Sequence, residues 1–203
     1  MNFSGFYFIT DSSLTKKGAV KDVEAALKGG ATVVQYREKS KETGPMVEEA
    51  LRIKDLCKGK ALLLINDRVD IALAVDADGV HLGQSDLSYT TARKLLGEKI
   101  IGVTVHNLKE AKEAEAMGAD YLGFSPVFGT KTKSDAGNAA GLKSLKEVCE
   151  FASIPVVAIG GITLDNARSV MDAGATTFCA ISATVGKDVE SEVKKFNKII
   201  KLG

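Results

Sequence analysis

Three cations and two carboxylates in this chain have the types and positions that handle a phosphate ester. Arg37, Lys39 and Lys133 would repel one another if they were gathered at one place with no anion between them. Asp67 and Asp86 are able to supply the one or two carboxylates with which magnesium is held beside phosphate oxygens and water. A cationic patch beside two carboxylates is what a magnesium–diphosphate complex requires. Gly160-Gly161-Ile162-Thr163 points to a second anion site. Paired glycines let an anion approach backbone N–H groups, and Thr163 has the side chain to cap the helix that follows. Ile181 and Ser182 would supply facing donors. Each feature also has a plainer reading. The glycine pair can serve a tight turn alone, Asp67 can cap a helix or pair with Arg68, and Asp86 can cap a helix of its own.

Other chemistries are less well supported. His81 and His106 have neither an i+4 partner nor a second histidine nearby in sequence. They read as hydrogen-bonded structural residues rather than zinc ligands or bases. There is no Gly-x-Ser-x-Gly elbow and no Gly-x4-Gly-Lys loop. The three cysteines, Cys57, Cys149 and Cys179, show neither disulfide nor zinc spacing, which fits a reducing, cytoplasmic setting.

Residues so far apart in sequence converge only if a scaffold brings them together. The chain alternates short apolar runs with longer amphipathic stretches. The runs are Phe6–Thr10, Thr32–Glu38, Ala61–Asn66, Gly79–Gly83, Ile100–Val105, Tyr121–Val127, Pro155–Gly161 and Thr177–Ser182. They are nearly continuous in hydrophobicity, as expected of parallel strands covered on both faces. Between them, Met46, Ala50, Ile53 and Cys57 share one helical face, and Val189, Val193, Phe196 and Ile200 repeat that spacing. Asn107 with Glu110, and Ser144 with Glu147, read as helix caps with return acceptors. Gly29, Gly59, Gly97, Gly118 and Gly174 stand where helices should stop. A weak repeat, Gly30-Ala31-Thr32, Gly118-Ala119-Asp120 and Gly174-Ala175-Thr176, separates helix from strand three times. Eight strand–helix units predict an α/β chain folded as one short (β/α)8 barrel spanning residues 1–203, with a doubly wound open sheet as the alternative.

In a barrel, chemistry sits at the C-terminal ends of the strands. Seven of the eight runs end in, or run into, residues able to ligate, donate or expose backbone N–H. These are Gln35–Lys39, Asn66-Asp67-Arg68, His81 to Gln84 with Asp86, Thr104 with His106, Thr130–Lys133, Gly160-Gly161, and Ser182.

Composition narrows the class further. The 203 residues are 45% hydrophobic and 26% charged, which excludes a disordered chain. Lys plus Arg is 27 against 26 for Asp plus Glu, so no field draws the protein to nucleic acid or to an anionic membrane. No apolar run reaches the ~20 residues of a membrane span, and the N-terminus lacks the features of a secretory signal. The partners expected are small molecules, and the sequence leaves a homo-oligomer open.

The motifs resemble the thiamine phosphate synthase family. Matching segments are Gln35-Tyr36-Arg37-Glu38-Lys39, Ile65–Asp70, Gly79–Asp86, Ser125–Lys133 and Ala158–Ile162, in the family's order. The resemblance implies a (β/α)8 barrel that joins hydroxymethylpyrimidine diphosphate to hydroxyethylthiazole phosphate, with magnesium. It places the pyrimidine diphosphate on Gln35, Tyr36, Arg37, Glu38, Lys39, Asn66, Thr104 and Lys133, and the metal on Asp67 and Asp86. The thiazole phosphate falls to Thr130, Lys131, Thr132, Gly161, Ile181 and Ser182. Arg37, Lys39 and Lys133 then become the catalytic cations that stabilise departing pyrophosphate. Thr104 stands where the family usually has serine, and Gly129 and Asn138-Ala139-Ala140 replace proline-bearing stretches. Related thiazole tautomerases carry a catalytic histidine where this chain has Pro126, which disfavours that activity. A non-catalytic sensor of thiamine phosphate would not need both Asp67 and Asp86.

Overall fold

A computed structural model describes residues 3–129 and 139–202. Eight parallel strands form one sheet in sequence order: β1 (Phe6–Ile9), β2 (Ala31–Tyr36), β3 (Leu62–Asn66), β4 (Gly79–Leu82), β5 (Ile100–Val105), β6 (Tyr121–Phe124), β7 (Val156–Ala158) and β8 (Thr177–Phe178). The helices are α1 (Ala19–Lys28), α2 (Thr43–Cys57), α3 (Val69–Ala74), α4 (Tyr89–Leu96), α5 (Leu108–Met117), α6 (Gly141–Phe151), α7 (Ala167–Asp172), α8 (Ile181–Thr184) and α9 (Val189–Lys201). The sheet curls into a (β/α)8 barrel. Its strands are buried along nearly their whole length because one face meets the barrel interior and the other meets helices.

The apolar stripes are buried where the spacing puts them, on Met46, Ala50, Ile53 and Cys57 of α2 and on Val189, Val193, Phe196 and Ile200 of α9. The internal repeat is a shared backbone conformation. Gly30, Gly118 and Gly174 have φ of 91°, 95° and 97°, and each turns a helix exit into the next strand. Gly29 was expected to hold the left-handed position, but its φ is −72°. It is small for another reason: a Cβ there would lie 2.7 Å from Val193 Cβ of α9.

Of three local readings, two are corrected and one holds. Ser144 lies inside α6, whose first residue is Gly141, so it caps nothing. Asn107 does cap α5, accepting from Glu110 N–H at 3.0 Å while its amide donates back to the Glu110 carboxylate. The eighth strand stops at Phe178, and Ile181 and Ser182 open the short helix α8.

The ladders run from β1 to β8, and side chains join the seam between those two strands. Thr177 Oγ1 donates to Gly5 O at 2.8 Å. Asn197 of α9 accepts from Phe6 N–H and donates to Gly29 O, both at 2.9 Å. Phe6 stacks on Phe196 at 5.3 Å between ring centres, with Phe178 edge-on to both.

Candidate active site

Strand periodicity decides which residues of the Gln35–Lys39 segment reach the barrel mouth. Successive side chains alternate faces. Arg37 and Lys39 line a cavity of about 340 Å³ at the C-terminal ends of the strands, together with Asn66, Asp67, Asp86 and Thr104. Gln35 points into the barrel interior below, beside Tyr7 and His81. Tyr36 and Glu38 turn outward, away from the cavity wall. The Tyr36 hydroxyl donates to Glu49 of α2 at 2.7 Å.

The outward Glu38 instead holds the loop. Burial alone would raise its carboxyl, but donors from Ser40 N–H, the Ser40 hydroxyl and the Ser12 hydroxyl, with Lys41 close by, hold it down to about 2. Its ordinary value is 4.5, so ionised Glu38 stabilises the fold above pH 4.5 and ceases to as pH falls towards 2. Glu38→Gln is expected to lower unfolding free energy by roughly 3 kcal/mol at pH 7, a deficit that shrinks steadily below pH 4.5. Urea unfolding of both proteins at pH 7 and pH 3 measures it; an equal deficit at the two would assign the loss to packing.

The cations at the mouth already have partners. Arg37 donates to the buried Asp11 carboxylate at 2.8 Å, and its backbone N–H donates to Thr10 Oγ1. Lys39 bonds to Asp67. Patch repulsion is therefore relieved within the protein, and Asp11 is a site residue that sequence reading passed over. It stands two residues past the end of β1, so the first strand end carries chemistry too.

Asp67 and Asp86 do not take the plainer roles open to them. Arg68 pairs with Asp70, not with Asp67. Helix α4 is capped by Ser88, not by Asp86, whose carboxylate accepts instead from Gly83 N–H at 2.7 Å. Asp67 holds a left-handed φ of 62° and accepts from Asn66 Nδ2 at 2.6 Å. Burial, and then the adjacent Asp86 carboxyl, push the Asp67 carboxyl up against the pull of Lys39. Two carboxylates close enough to raise one of them favour a divalent cation between or beside them. Among the described residues no cluster of three or more His, Cys, Asp or Glu residues forms a metal site, so any ion held here would draw its remaining ligands from substrate and water.

The residues expected at a second anion site follow β7 and β8, which are neighbours. Gly160 and Gly161 both have positive φ, and a Cβ on Gly161 would lie 2.6 Å from Gly129 O. Asn166, not Thr163, organises this loop: its Oδ1 accepts from Thr163 N–H and its Nδ2 donates to Gly161 O. That leaves Gly161 N–H without a hydrogen bond among the described residues. Ile181 and Ser182 contribute the open N–H groups of a helix start on the next strand. Thr130, Lys131, Thr132 and Lys133 lie outside the described residues, although Gly129, just before them, rests against Gly161.

His81 is buried and doubly hydrogen-bonded, to Tyr121 and Thr104. His106 Nδ1 donates to Glu110 Oε2, 2.8 Å away. Both lie on the cavity wall with Gln84, Ser85 and Ser125. A larger groove of about 690 Å³ lies beside Cys57–Leu63 at the opposite end of the barrel. That end of a barrel serves stability rather than chemistry.

Comparison with known proteins agrees with this geometry. The sequence profile described as thiamine monophosphate synthase matches residues 6–184. The chain belongs to the thiamine monophosphate synthase family. It is 54% identical over 198 residues to a thiamine-phosphate synthase of Methanosarcina mazei, covering 97% of this chain and 82% of that one. A thiamine-phosphate synthase of Chloroflexus aurantiacus is 52% identical over 184 residues, covering 90% and 85%. The solved thiamine phosphate pyrophosphorylase of Pyrococcus furiosus superposes with a TM-score of 0.92 at 44% identity, covering 98% and 96%. Membership of this family makes the chain a transferase of thiamine biosynthesis acting on small molecules. Among the described residues no helix is long and apolar enough to cross a membrane.

Proposed function

We propose that this chain joins hydroxymethylpyrimidine diphosphate to hydroxyethylthiazole phosphate, releasing pyrophosphate. The observation that carries the reading is the facing pair Asp67 and Asp86 beside Arg37 and Lys39 in one cavity. Asp67 and Asp86 would hold magnesium, which neutralises charge on a departing pyrophosphate. Arg37, fixed by Asp11, is preorganised for the same anion. Lys39 is exposed enough to move from Asp67 to a phosphate oxygen. Lys133 would add a third cation to this group. Gln35 Oε1 is buried with no hydrogen-bond partner among the described residues, and an exocyclic amino group would satisfy it.

The chemistry then needs no side-chain base. The pyrimidine amino group pushes electron density towards the methylene carbon. The carbon–oxygen bond breaks with its electron pair leaving on pyrophosphate, and the thiazole nitrogen closes the new carbon–nitrogen bond. Incubation with both precursors and magnesium should give thiamine phosphate and pyrophosphate in equal amounts. Tight magnesium-free binding of thiamine phosphate with no turnover would make the protein a sensor instead.

The thiazole phosphate is read as cradled by backbone N–H groups at Gly161, Ile181 and Ser182, with Thr130, Lys131 and Thr132 as further expected contacts. Ser182→Ala keeps those donors and should leave the thiazole phosphate KM nearly unchanged. Gly161→Val puts a branched side chain against Gly129 O in a backbone region such residues avoid, and should raise it steeply. A large Ser182→Ala effect beside a harmless Gly161→Val would sink the backbone cradle. Circular dichroism of both variants separates lost binding from lost fold.

A further inference from the structure

Five side chains from five strands form one hydrogen-bonded line through the barrel. Gln35 Nε2 donates to the Tyr7 hydroxyl at 2.7 Å. The Tyr7 and Tyr121 hydroxyls are 2.8 Å apart. Tyr121 is 2.8 Å from His81 Nδ1, and His81 Nε2 is 2.8 Å from Thr104 Oγ1. The line starts in the interior and ends on the wall of the mouth cavity. Two glycines make room for it. A Cβ on Gly102 would lie 2.0 Å from the Tyr121 ring, and one on Gly123 would lie 2.6 Å from the His81 ring. The strand register sets Gly102 beside His81 and Tyr121, and Gly123 beside Thr104.

The line can be followed outward from Gln35. An amide nitrogen only donates, so Tyr7 accepts from Gln35; between Tyr7 and Tyr121 either hydroxyl can donate, and in the outward sense Tyr7 does. In that sense Tyr121 passes its hydrogen to Nδ1 of His81. A neutral imidazole that accepts at Nδ1 carries its hydrogen on Nε2, and donates it to Thr104. The Thr104 hydroxyl hydrogen is then free for an acceptor in the cavity. Burial pushes both phenols above their ordinary range, so they remain donors at neutral pH.

We propose that Tyr121 is a positioning residue which fixes His81 as its Nε2–H tautomer and so presents Thr104 as a hydroxyl donor to the pyrimidine diphosphate. The substrate half rests on the place given to Thr104 under Proposed function. A donor oriented before substrate arrives needs no reorganisation when the substrate binds. Tyr7 completes the line by occupying the Tyr121 oxygen from the other side.

Nitrogen-15 spectra of the histidine rings test this, since the protonated and bare ring nitrogens resonate far apart. The sequence holds only two histidines, so His81→Asn assigns the signals. Wild-type His81 should show a bare Nδ1 and a protonated Nε2. Tyr121→Phe, which keeps the ring in its Gly102 pocket, should lose that preference and raise the pyrimidine diphosphate KM roughly tenfold, with the thiazole phosphate KM unchanged. Tyr7→Phe should keep the tautomer, because Tyr121 still has His81 to donate to. A wild-type Nδ1–H tautomer overturns the proposal without any variant. So does a Tyr121→Phe protein whose tautomer is unaltered. If the tautomer is as proposed but Thr104→Val leaves the pyrimidine KM unchanged, the positioning of His81 stands and only the place of Thr104 in the substrate site fails.

Discussion

Asp67→Asn and Asp86→Asn should each slow turnover at limiting magnesium by roughly 100- to 1,000-fold while leaving the protein folded. The fold should survive for reasons specific to each position. Asparagine tolerates the left-handed φ of 62° at residue 67, and its amide oxygen can still accept from Asn66. The lost Lys39 pairing lies at a half-exposed side chain and is worth at most ~1 kcal/mol. At residue 86 the amide oxygen can still accept from Gly83 N–H and preserve the turn. Each change also removes one of two like charges held close together, a gain for the empty protein. Activity should therefore fall with the melting temperature steady or slightly raised. The double variant should be little worse than either single one, because groups that act as a unit are not additive. Rates measured across a magnesium titration decide the matter. Wild-type rates in both single variants would remove the metal assignment, and parallel losses of rate and melting temperature would make the carboxylates structural.

The second large effect concerns the substrate rather than the protein. Replacing the pyrimidine ring methyl by trifluoromethyl should slow the chemical step several thousandfold, roughly 5 kcal/mol of transition-state energy. The described cavity holds paired cations and carboxylates, and its two histidines are already bonded to Tyr121, Thr104 and Glu110. Such a wall serves a leaving anion better than it serves a proton abstraction. If the carbon–oxygen bond breaks first, the rate depends on electron supply from the pyrimidine, and an electron-withdrawing substituent starves the forming cation. Direct displacement by the thiazole predicts a much smaller sensitivity. Single-turnover kinetics at saturating thiazole phosphate compare the two diphosphates on the chemical step itself. Near-equal rates would rule out the cation.

The sequence carried the barrel because the units repeat one pattern, an apolar run and then an amphipathic stretch, and several add a glycine at the exit, such as Gly30, Gly118 or Gly174. Where two structures share a pattern, it misled. Cys179-Ala180-Ile181-Ser182 continues the apolar run of β8, and such a run does not distinguish a buried strand from a buried helix start. Thr163 and Ser144 have cap chemistry, but Asn166 and Gly141 set the local backbone. At the site, Arg37, Lys39, Asp67 and Asp86 were legible because their chemistry is unusual at strand ends. Asp11 was not, since one acidic residue after a strand has no pattern to betray its partner 26 residues on. The line from Gln35 to Thr104 was equally hidden. Its members are dispersed over five strands, and only the closed sheet shows which inward side chains meet.

The seam between β1 and β8 bears on how the protein is made. Its fastenings, Thr177 to Gly5 O and Asn197 to Phe6 N–H, join residues at the first strand to partners synthesised 172 and 191 positions later. A ribosome adding ~5–20 residues per second exposes β1 for many seconds before its last neighbours emerge. Through that interval the first strand is an open edge, the kind of surface that recruits foreign strands. The growing chain can build its sheet from β1 outward in sequence order, but it cannot lock the ring until α9 has left the exit tunnel. For this barrel, the ring closes only after the last of its described helices, α9, has been synthesised.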